Sequence, residues 1–191
     1  MNNLGARAQM NLTITISGLH GTGKSTYAKI LSKDFGLRHI SAGDFFRQIA
    51  KDKGISVIEL SQMASSNREI DFLIDERTKN EAEIGNIIID GLLAGWMVGD
   101  LADIKIYLVA SERVRIERVA SREKISFDDA KKNTLLREAI EKDRFKRVYT
   151  LNIDDYLIYD LILNTGLISL EANVGVIRKF IQEYIKLKRG K

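Results

Sequence analysis

Eight consecutive residues near the start of the chain have the types and spacing of a loop that binds phosphate. They match G-x-x-x-x-G-K-[ST] and are Gly18, Leu19, His20, Gly21, Thr22, Gly23, Lys24 and Ser25. Glycines let such a loop curl so that amide N–H groups point at phosphate oxygens, and the helix that follows adds the positive end of its dipole. Lys24 would contact the β- and γ-phosphates, and the Ser25 hydroxyl would bind Mg²⁺. We predict a nucleoside triphosphate site that extends from Gly18 to Thr26.

A second set of polar residues follows the next predicted strand and suits an acceptor phosphate. Ser41 can cap the helix that follows, and Arg47 on its first turns can bind a phosphate with two N–H groups at once. Asp90 comes directly after a buried apolar strand, where an aspartate beside the phosphate loop can hold a magnesium-bound water. The predicted acceptor residues are Ser41, Gly43, Asp44, Arg47, Asp90 and Gly91, and the predicted metal ligands are Ser25 and Asp90.

Arginines at helical spacing in the second half of the chain form a third group. Arg115, Arg118 and Arg122 fall on one face of a predicted helix, and Arg137 and Arg144 share a face of the next. Phosphoryl transfer is catalysed by positioning and charge stabilisation, which arginines beside a phosphate loop supply. Two such helices should repel each other until polyphosphate neutralises them, so we expect an open lid without nucleotide. The residues predicted to be catalytic are Lys24, Arg118, Arg122, Arg137 and Arg144, and Arg115 is interpreted as a surface residue.

Short β-branched runs alternate with helical patterns, which predicts a parallel sheet with helices on both faces. The helical stretches at about 45–83 and 113–147 are longer than simple crossovers, and we interpret them as two insertions that move over the site. Residues 1–9 are interpreted as a loose extension before Met10. The predicted strands are 12–17, 38–40, 86–90, 104–109 and 160–164, and the predicted helices are 25–35, 45–51, 57–65, 70–82, 113–122, 127–147 and 170–187.

Composition limits the class of protein. The 191 residues carry a net charge of +4, no cysteine and two histidines, which excludes thiol catalysis, disulfides and cysteine-ligated metal. No apolar run reaches the roughly 18 residues of a membrane span, and the N-terminus lacks the apolar region of a secretory signal. We expect a single-domain cytoplasmic monomer whose partners are small molecules, with no nucleic acid and no membrane.

Three motifs together, GTGKS, SAGDFFR and IIIDG, have the spacing of the nucleoside monophosphate kinases, which this sequence resembles over about residues 10–187. Four later motifs are more specific and resemble the archaeal-type cytidylate kinases. They are LAGWM (93–97), SREKISFDDA (121–130), REAIEKDRFKRVY (137–149) and NIDDYLIYDLILNT (152–165).

The resemblance implies a P-loop NTPase fold of three αβα layers, with a five-stranded parallel sheet in the order 2-3-1-4-5. It implies Mg²⁺–ATP as donor, CMP and dCMP as acceptors, Arg47 at the acceptor phosphate, an insertion that binds the nucleoside monophosphate, and a helical lid that carries arginines. Asp71 and Arg77 could contact the cytosine edge or lie on the surface. Trp96 would be a core anchor or line the acceptor pocket.

Two positions depart from the family pattern. His20 stands where the family often has proline or a small residue, and we expect its side chain to point outward. Leu92 stands where related kinases often have an arginine, which puts one phosphate contact in doubt.

Other functions remain open from the sequence. The strings Asp-x-x-Gly and Asn-Lys-x-Asp, which switch GTPases need, are absent. An adenylate kinase or a broad-specificity monophosphate kinase would have the same parts. A non-catalytic nucleotide-binding switch protein belongs to a different class and would show no acceptor-dependent release of ADP.

Overall fold

A five-stranded parallel sheet forms the centre of the protein, as shown by the computed structural model, which describes residues 11–190. The strand order is β2-β3-β1-β4-β5, which confirms the predicted 2-3-1-4-5 topology. The predicted extension at 1–9 and Met10 lie outside the described residues. The strands are β1 (Thr13–Gly18), β2 (Arg38–Ser41), β3 (Ile87–Asp90), β4 (Ile104–Val109) and β5 (Leu161–Asn164).

Helices surround the sheet at the positions that the periodicity predicted. One short helix, α5, was not predicted, because five residues are too few to show a periodic pattern. A 3-10 turn at Gly99–Leu101 follows it. The helices are α1 (Lys24–Phe35), α2 (Ala42–Asp52), α3 (Val57–Ser66), α4 (Glu69–Ile84), α5 (Ala94–Val98), α6 (Glu112–Glu123), α7 (Phe127–Tyr149) and α8 (Leu170–Arg189).

Apolar side chains from both faces of the sheet form the core. On one face, Ile14 and Ile106 pack with α1 and α8. On the other, Ile87 and Ile89 pack with α4 and α5. The edge strand β5 is not fully covered by the helices that were predicted on both faces of the sheet, because its burial alternates and Ile162 is 47% exposed. An apolar run does not show which strand lies at an edge.

Serine side chains begin most of the longer helices. In each case the serine oxygen accepts a hydrogen bond from the backbone N–H three residues on, which satisfies one of the helix's free donors. Helix α1 differs, because its N-cap is Gly23 and no side chain caps it. The first amides of α1 therefore remain available to a ligand. The capping serines are Ser41, Ser56, Ser111, Ser126 and Ser169.

The register of the sheet places the chemical groups together. Asp90 at the end of β3 pairs with Ile16 of β1 and with Ser41 of β2. The carboxyl ends of β1, β2 and β3 thus meet beside the loop that leads into α1. In open parallel sheets this edge is where ligands bind.

Candidate active site

One cavity of about 860 Å³ lies at the carboxyl ends of these strands and collects most of the predicted residues. Its walls come from the phosphate loop, from α2 and α4, and from α6 and α7. Of the predicted residues, Gly18, Leu19 and Thr22 do not line it. The predicted residues that do are His20, Gly21, Gly23, Lys24, Ser25, Thr26, Ser41, Gly43, Asp44, Arg47, Asp71, Asp90, Gly91, Arg118, Arg122, Arg137 and Arg144.

At two positions of the phosphate loop, the backbone has a conformation that only glycine adopts easily. Gly21 and Gly23 have φ values of +80° and +95°, in the left-handed region. A Cβ at Gly21 would also collide with the carbonyl of Arg115. Not every amide points inward, because the N–H of His20 donates to Oε1 of Glu138 at 3.3 Å. The amides of Gly21, Gly23, Lys24 and Ser25 have no acceptor among the described residues and are free for phosphate.

Lys24 lies at the centre of the cavity wall. Its Nζ donates to the carbonyl oxygen of Leu19 at 3.0 Å, which holds the side chain across the loop. Burial lowers the pKa of Lys24 to about 8, although Asp90 and Glu141 act in the opposite direction. The amine is therefore mostly charged at neutral pH, and a bound polyphosphate would keep it charged.

The carboxylate of Asp90 is held by three side chains. Ser25 Oγ donates to Oδ1 at 2.9 Å and Ser41 Oγ donates to the same oxygen at 3.1 Å. His39 Nε2 lies 2.7 Å from Oδ2. Asp90 therefore joins the phosphate loop to the acceptor segment. No motif pointed to His39 as a residue of the site, although it lies on a predicted strand two residues before Ser41, a spacing that places both side chains on the same face.

The acceptor segment is arranged as predicted at the start of α2. Ser41 Oγ accepts from the N–H of Asp44 at 3.3 Å, so the serine is the helix cap. The guanidinium of Arg47 pairs with Asp44 one turn away and is 41% exposed at the cavity. Its N–H groups are within reach of an anion that enters from solvent.

Two contacts between α4 and α7 close the far end of the cavity. Arg144 Nε lies 3.4 Å from Oδ2 of Asp71, and both side chains are buried. The hydroxyl of Tyr149 donates to Oδ2 of Asp75 at 2.5 Å. Burial raises the pKa of Asp71, opposed by Arg144. Sequence analysis did not identify Asp75 or Tyr149; both line the cavity at this end.

Stability should depend on pH through Asp75. Burial raises the pKa of this carboxyl from 3.8 to about 6, so its contribution is fully present below pH 3.8 and is lost as pH rises through about 6. The variant Asp75→Asn does not titrate. Between about pH 4 and pH 7 its free energy of unfolding should rise relative to wild type by an amount on the order of 1–3 kcal/mol. Urea unfolding at several pH values measures this difference.

The variant Tyr149→Phe tests the cause of this dependence. The tyrosine hydroxyl lowers the pKa of Asp75 by donating to it. Without that donor the pH range over which stability is lost should move upward. Parallel stability curves for wild type and Asp75→Asn would contradict the buried-carboxyl explanation.

Each of the four arginines predicted to be catalytic on α6 and α7 has an acceptor for its guanidinium. Arg118 donates to Thr165 Oγ1 at 2.9 Å and to the Thr165 carbonyl at 2.8 Å. Arg137 Nε donates to Glu141 Oε1 at 2.8 Å, and Arg144 pairs with Asp71. Helix α7 also packs against α3. Carboxylates and carbonyls therefore offset the positive charges that were expected to repel each other, and the open lid without nucleotide stays a prediction. Arg122 is the most exposed of the four and pairs with its neighbour Glu123.

Two side chains predicted to face outward point inward, Arg115 buried and His20 largely buried. Arg115 is 5% exposed and donates to the carbonyl of His20 at 2.9 Å and to Glu138. The ring of His20 points inward, with Nε2 2.7 Å from Oε2 of Glu141. Both predictions failed for the same reason: Glu138 and Glu141 lie more than twenty residues away in sequence and supply the partners. Helical spacing alone does not reveal them.

The positions of Arg77, Trp96 and Leu92 relative to the cavity decide the remaining sequence hypotheses. The guanidinium of Arg77 stacks on the Phe45 ring, 3.6 Å from its centre, and does not line the cavity. Trp96 is partly buried outside the cavity, in agreement with a structural role. Leu92 lines the cavity with an apolar side chain, so it supplies no phosphate contact.

The sheet order, the loop before α1 and the helical walls define a P-loop kinase fold. Solved structures agree. Shikimate kinase from Bacteroides thetaiotaomicron matches with a TM-score of 0.59 at 15% identity, over 90% of this chain and 98% of that one. A putative kinase from Chloroflexus aurantiacus matches with a TM-score of 0.57 at 20% identity, over 88% and 97%. At these identities the likeness concerns the fold.

Sequence relatives define the family. Residues 13–167 match the Cytidylate kinase-like family, and the chain belongs to it. The Cytidylate kinase of Staphylothermus marinus is 43% identical over 92% of this chain and 99% of its own length. That of Archaeoglobus fulgidus is 44% identical over 90% and 95%. In the part of the chain that the structure describes, no helix is long and apolar enough to cross a bilayer.

Proposed function

We propose that this protein transfers the γ-phosphate of ATP to CMP, and also to dCMP, to give ADP and CDP or dCDP. The observation that carries the proposal is the single cavity that joins the phosphate loop to the segment from Ser41 to Arg47, with arginines between them. Relatives above 40% identity named Cytidylate kinase support CMP as the acceptor. The sequence-based predictions of a monomer and of a cytoplasmic location belong to the same proposal.

The acceptor phosphate needs no general base, because it is already an anionic nucleophile. One of its oxygens forms the new bond to the γ-phosphorus, and the bond from that phosphorus to the bridging oxygen of ADP breaks. Lys24, Arg118 and Arg137 would place and neutralise the transferring group. The contacts between α4 and α7 would help to exclude water, which would otherwise compete as acceptor.

Magnesium fits the oxygen groups beside the loop. Ser25 and Asp90 present a hydroxyl and a carboxylate that face the same cavity, and Mg²⁺ prefers such ligands. Within residues 11–190 no group of three or more His, Asp or Glu side chains is close enough to hold a metal by itself. Ser25 and Asp90 would therefore hold the ion together with substrate phosphates. When bound, the ion would neutralise part of the negative charge of the transferring phosphates.

The acid residues at the far end of the cavity would select the base. Cytosine presents an amino group at the position where uracil presents an oxygen. The carboxylates of Asp71 and Asp75 accept hydrogen bonds from an amino group and repel an oxygen. We therefore propose that Asp71 and Asp75 favour CMP over UMP.

A panel of acceptors tests the proposed function. We expect kcat/KM for CMP and dCMP to exceed that for UMP by at least about 100-fold, since a charged group left facing the wrong partner costs several kcal/mol. Coupled measurement of ADP release with CMP, dCMP, UMP and AMP gives these values. The variant Lys24→Ala, prepared in parallel, controls for contaminating kinases.

The panel also separates the competing functions. Faster turnover of AMP than of CMP would indicate an adenylate kinase, and equal rates would indicate broad specificity. Tight ATP binding without acceptor-dependent ADP release would indicate a switch protein. Any of these results would overturn the assignment to CMP.

A further inference from the structure

The phosphate loop and helix α7 meet at His20. Its ring Nε2 lies 2.7 Å from Oε2 of Glu141, and the two side chains are 14% and 5% exposed. The main chain of His20 is held separately, because Arg115 donates to its carbonyl and its N–H donates to Glu138. The ring is therefore not needed to hold the loop backbone. The contact of the ring with Glu141 therefore has a role other than holding the loop backbone.

Glu141 connects that ring to a lid arginine. While Oε2 contacts His20, Oε1 accepts from Nε of Arg137 at 2.8 Å. His20, Glu141 and Arg137 all line the cavity that contains Lys24. One buried carboxylate thus bridges the loop that would hold ATP and an arginine that faces the transferring group.

The charges fix the direction of the hydrogen bond. Burial alone would raise the pKa of Glu141, but the hydrogen bond from His20 and the positive charges of Arg137 and Arg144 outweigh it and lower the pKa. Burial also lowers the pKa of His20, despite the attraction of Glu141. A neutral ring that donates its Nε2–H to an ionised Glu141 satisfies both groups. Glutamine, whose Nε2–H₂ is a donor at a similar reach, can make the same bond.

We propose that His20 is a positioning residue: its ring fixes Glu141, and through Glu141 it holds Arg137 toward the phosphoryl group in transfer. This rests on the proposed kinase function. Without the ring, Oε2 of Glu141 loses its donor and the carboxylate is free to rotate. Arg137 then loses the fixed partner that orients its guanidinium. Misplacement of a charge-stabilising group lowers kcat more than it changes substrate binding.

Steady-state kinetics of five variants test the proposal. We expect His20→Ala to lower kcat about 10-fold with the KM values for ATP and CMP changed less than about twofold. His20→Gln should recover kcat to within about threefold of wild type, because the donor is restored. In an Arg137→Ala background, His20→Ala should cause no further loss, since both changes act through the same arginine. Asp143→Asn is the matched control, because Asp143 is exposed on the same helix and pairs with Arg147.

Nuclear magnetic resonance gives a readout that does not depend on activity. The Nε–H signal of Arg137, assigned by its loss in Arg137→Ala, reports the hydrogen bond to Glu141. We expect this signal in wild type and His20→Gln, and a shifted or broadened signal in His20→Ala. An unchanged signal in His20→Ala, or a loss of kcat that persists in the Arg137→Ala background, would overturn the positioning role. Failure of the acceptor panel with wild type would overturn the kinase function and leave this signal as the test of the contact.

Discussion

The variant Lys24→Ala should lower kcat by at least about 100-fold, because the charge of this lysine stabilises the phosphoryl group most strongly in the transition state. Lys24 lines the cavity and is only partly exposed, so its removal takes a positive charge away from the site of the polyphosphate. Lys24→Met retains most of the side-chain length and removes only the charge, and it should show a loss of the same order. ADP release in the presence of CMP measures both.

A lysine at the far end of the same helix provides the control. Lys33 lies in the last turn of α1 and is exposed, so Lys33→Ala should keep wild-type turnover. Circular dichroism and thermal unfolding show whether each variant remains folded. Near-wild-type turnover of Lys24→Met would remove the phosphate loop from the mechanism.

The variant Arg47→Ala should raise the KM for CMP by about 30- to 100-fold and leave the KM for ATP nearly unchanged, since a charge-assisted contact contributes roughly 2–3 kcal/mol. Arg47 belongs to α2, which follows β2 and not the phosphate loop, so we expect it to contact only the acceptor phosphate. Initial rates at varied CMP and saturating ATP, and the reverse, give the two constants.

Arg77→Ala removes the same charge from the same insertion without touching the cavity. Arg77 stacks on Phe45 outside the lining, so neither KM should change. A rise in the KM for ATP in Arg47→Ala would show that the donor and acceptor ends of the cavity are reversed or shared. Equal effects of Arg47→Ala and Arg77→Ala would point to the overall charge rather than to a specific contact.

Local patterns were sufficient to predict the framework of the site. The phosphate loop is contiguous in sequence, and the apolar run before Asp90 marks a strand whose end lies beside it. Serine caps such as Ser41 also act within three residues of their partners. Features whose residues lie close together in sequence can be predicted, because the local chain fixes their geometry.

Partners across the fold could not be predicted in this way. The ring of His20 turns inward because Glu141 lies 121 residues away, and Arg115 is buried because Glu138 and the loop carbonyl accept from it. A helical arginine stripe looks the same whether its partners are water or carboxylates. The contact between Asp75 and Tyr149 depends on how α4 packs against α7, and the sequence of neither helix alone determines this packing.

The uncapped start of α1 also ties the lifetime of the protein to its supply of nucleotide. The amides of Lys24 and Ser25 have no protein acceptor within residues 11–190 and are held together for a polyphosphate only in the folded loop, so ligand should bind the folded chain and not the unfolded one. A ligand at 100 times its dissociation constant adds about 2.7 kcal/mol to the free energy of unfolding. When nucleotide is scarce, a larger fraction of molecules unfolds and becomes open to proteolysis. The abundance of this protein should then follow the triphosphate pool that it draws on.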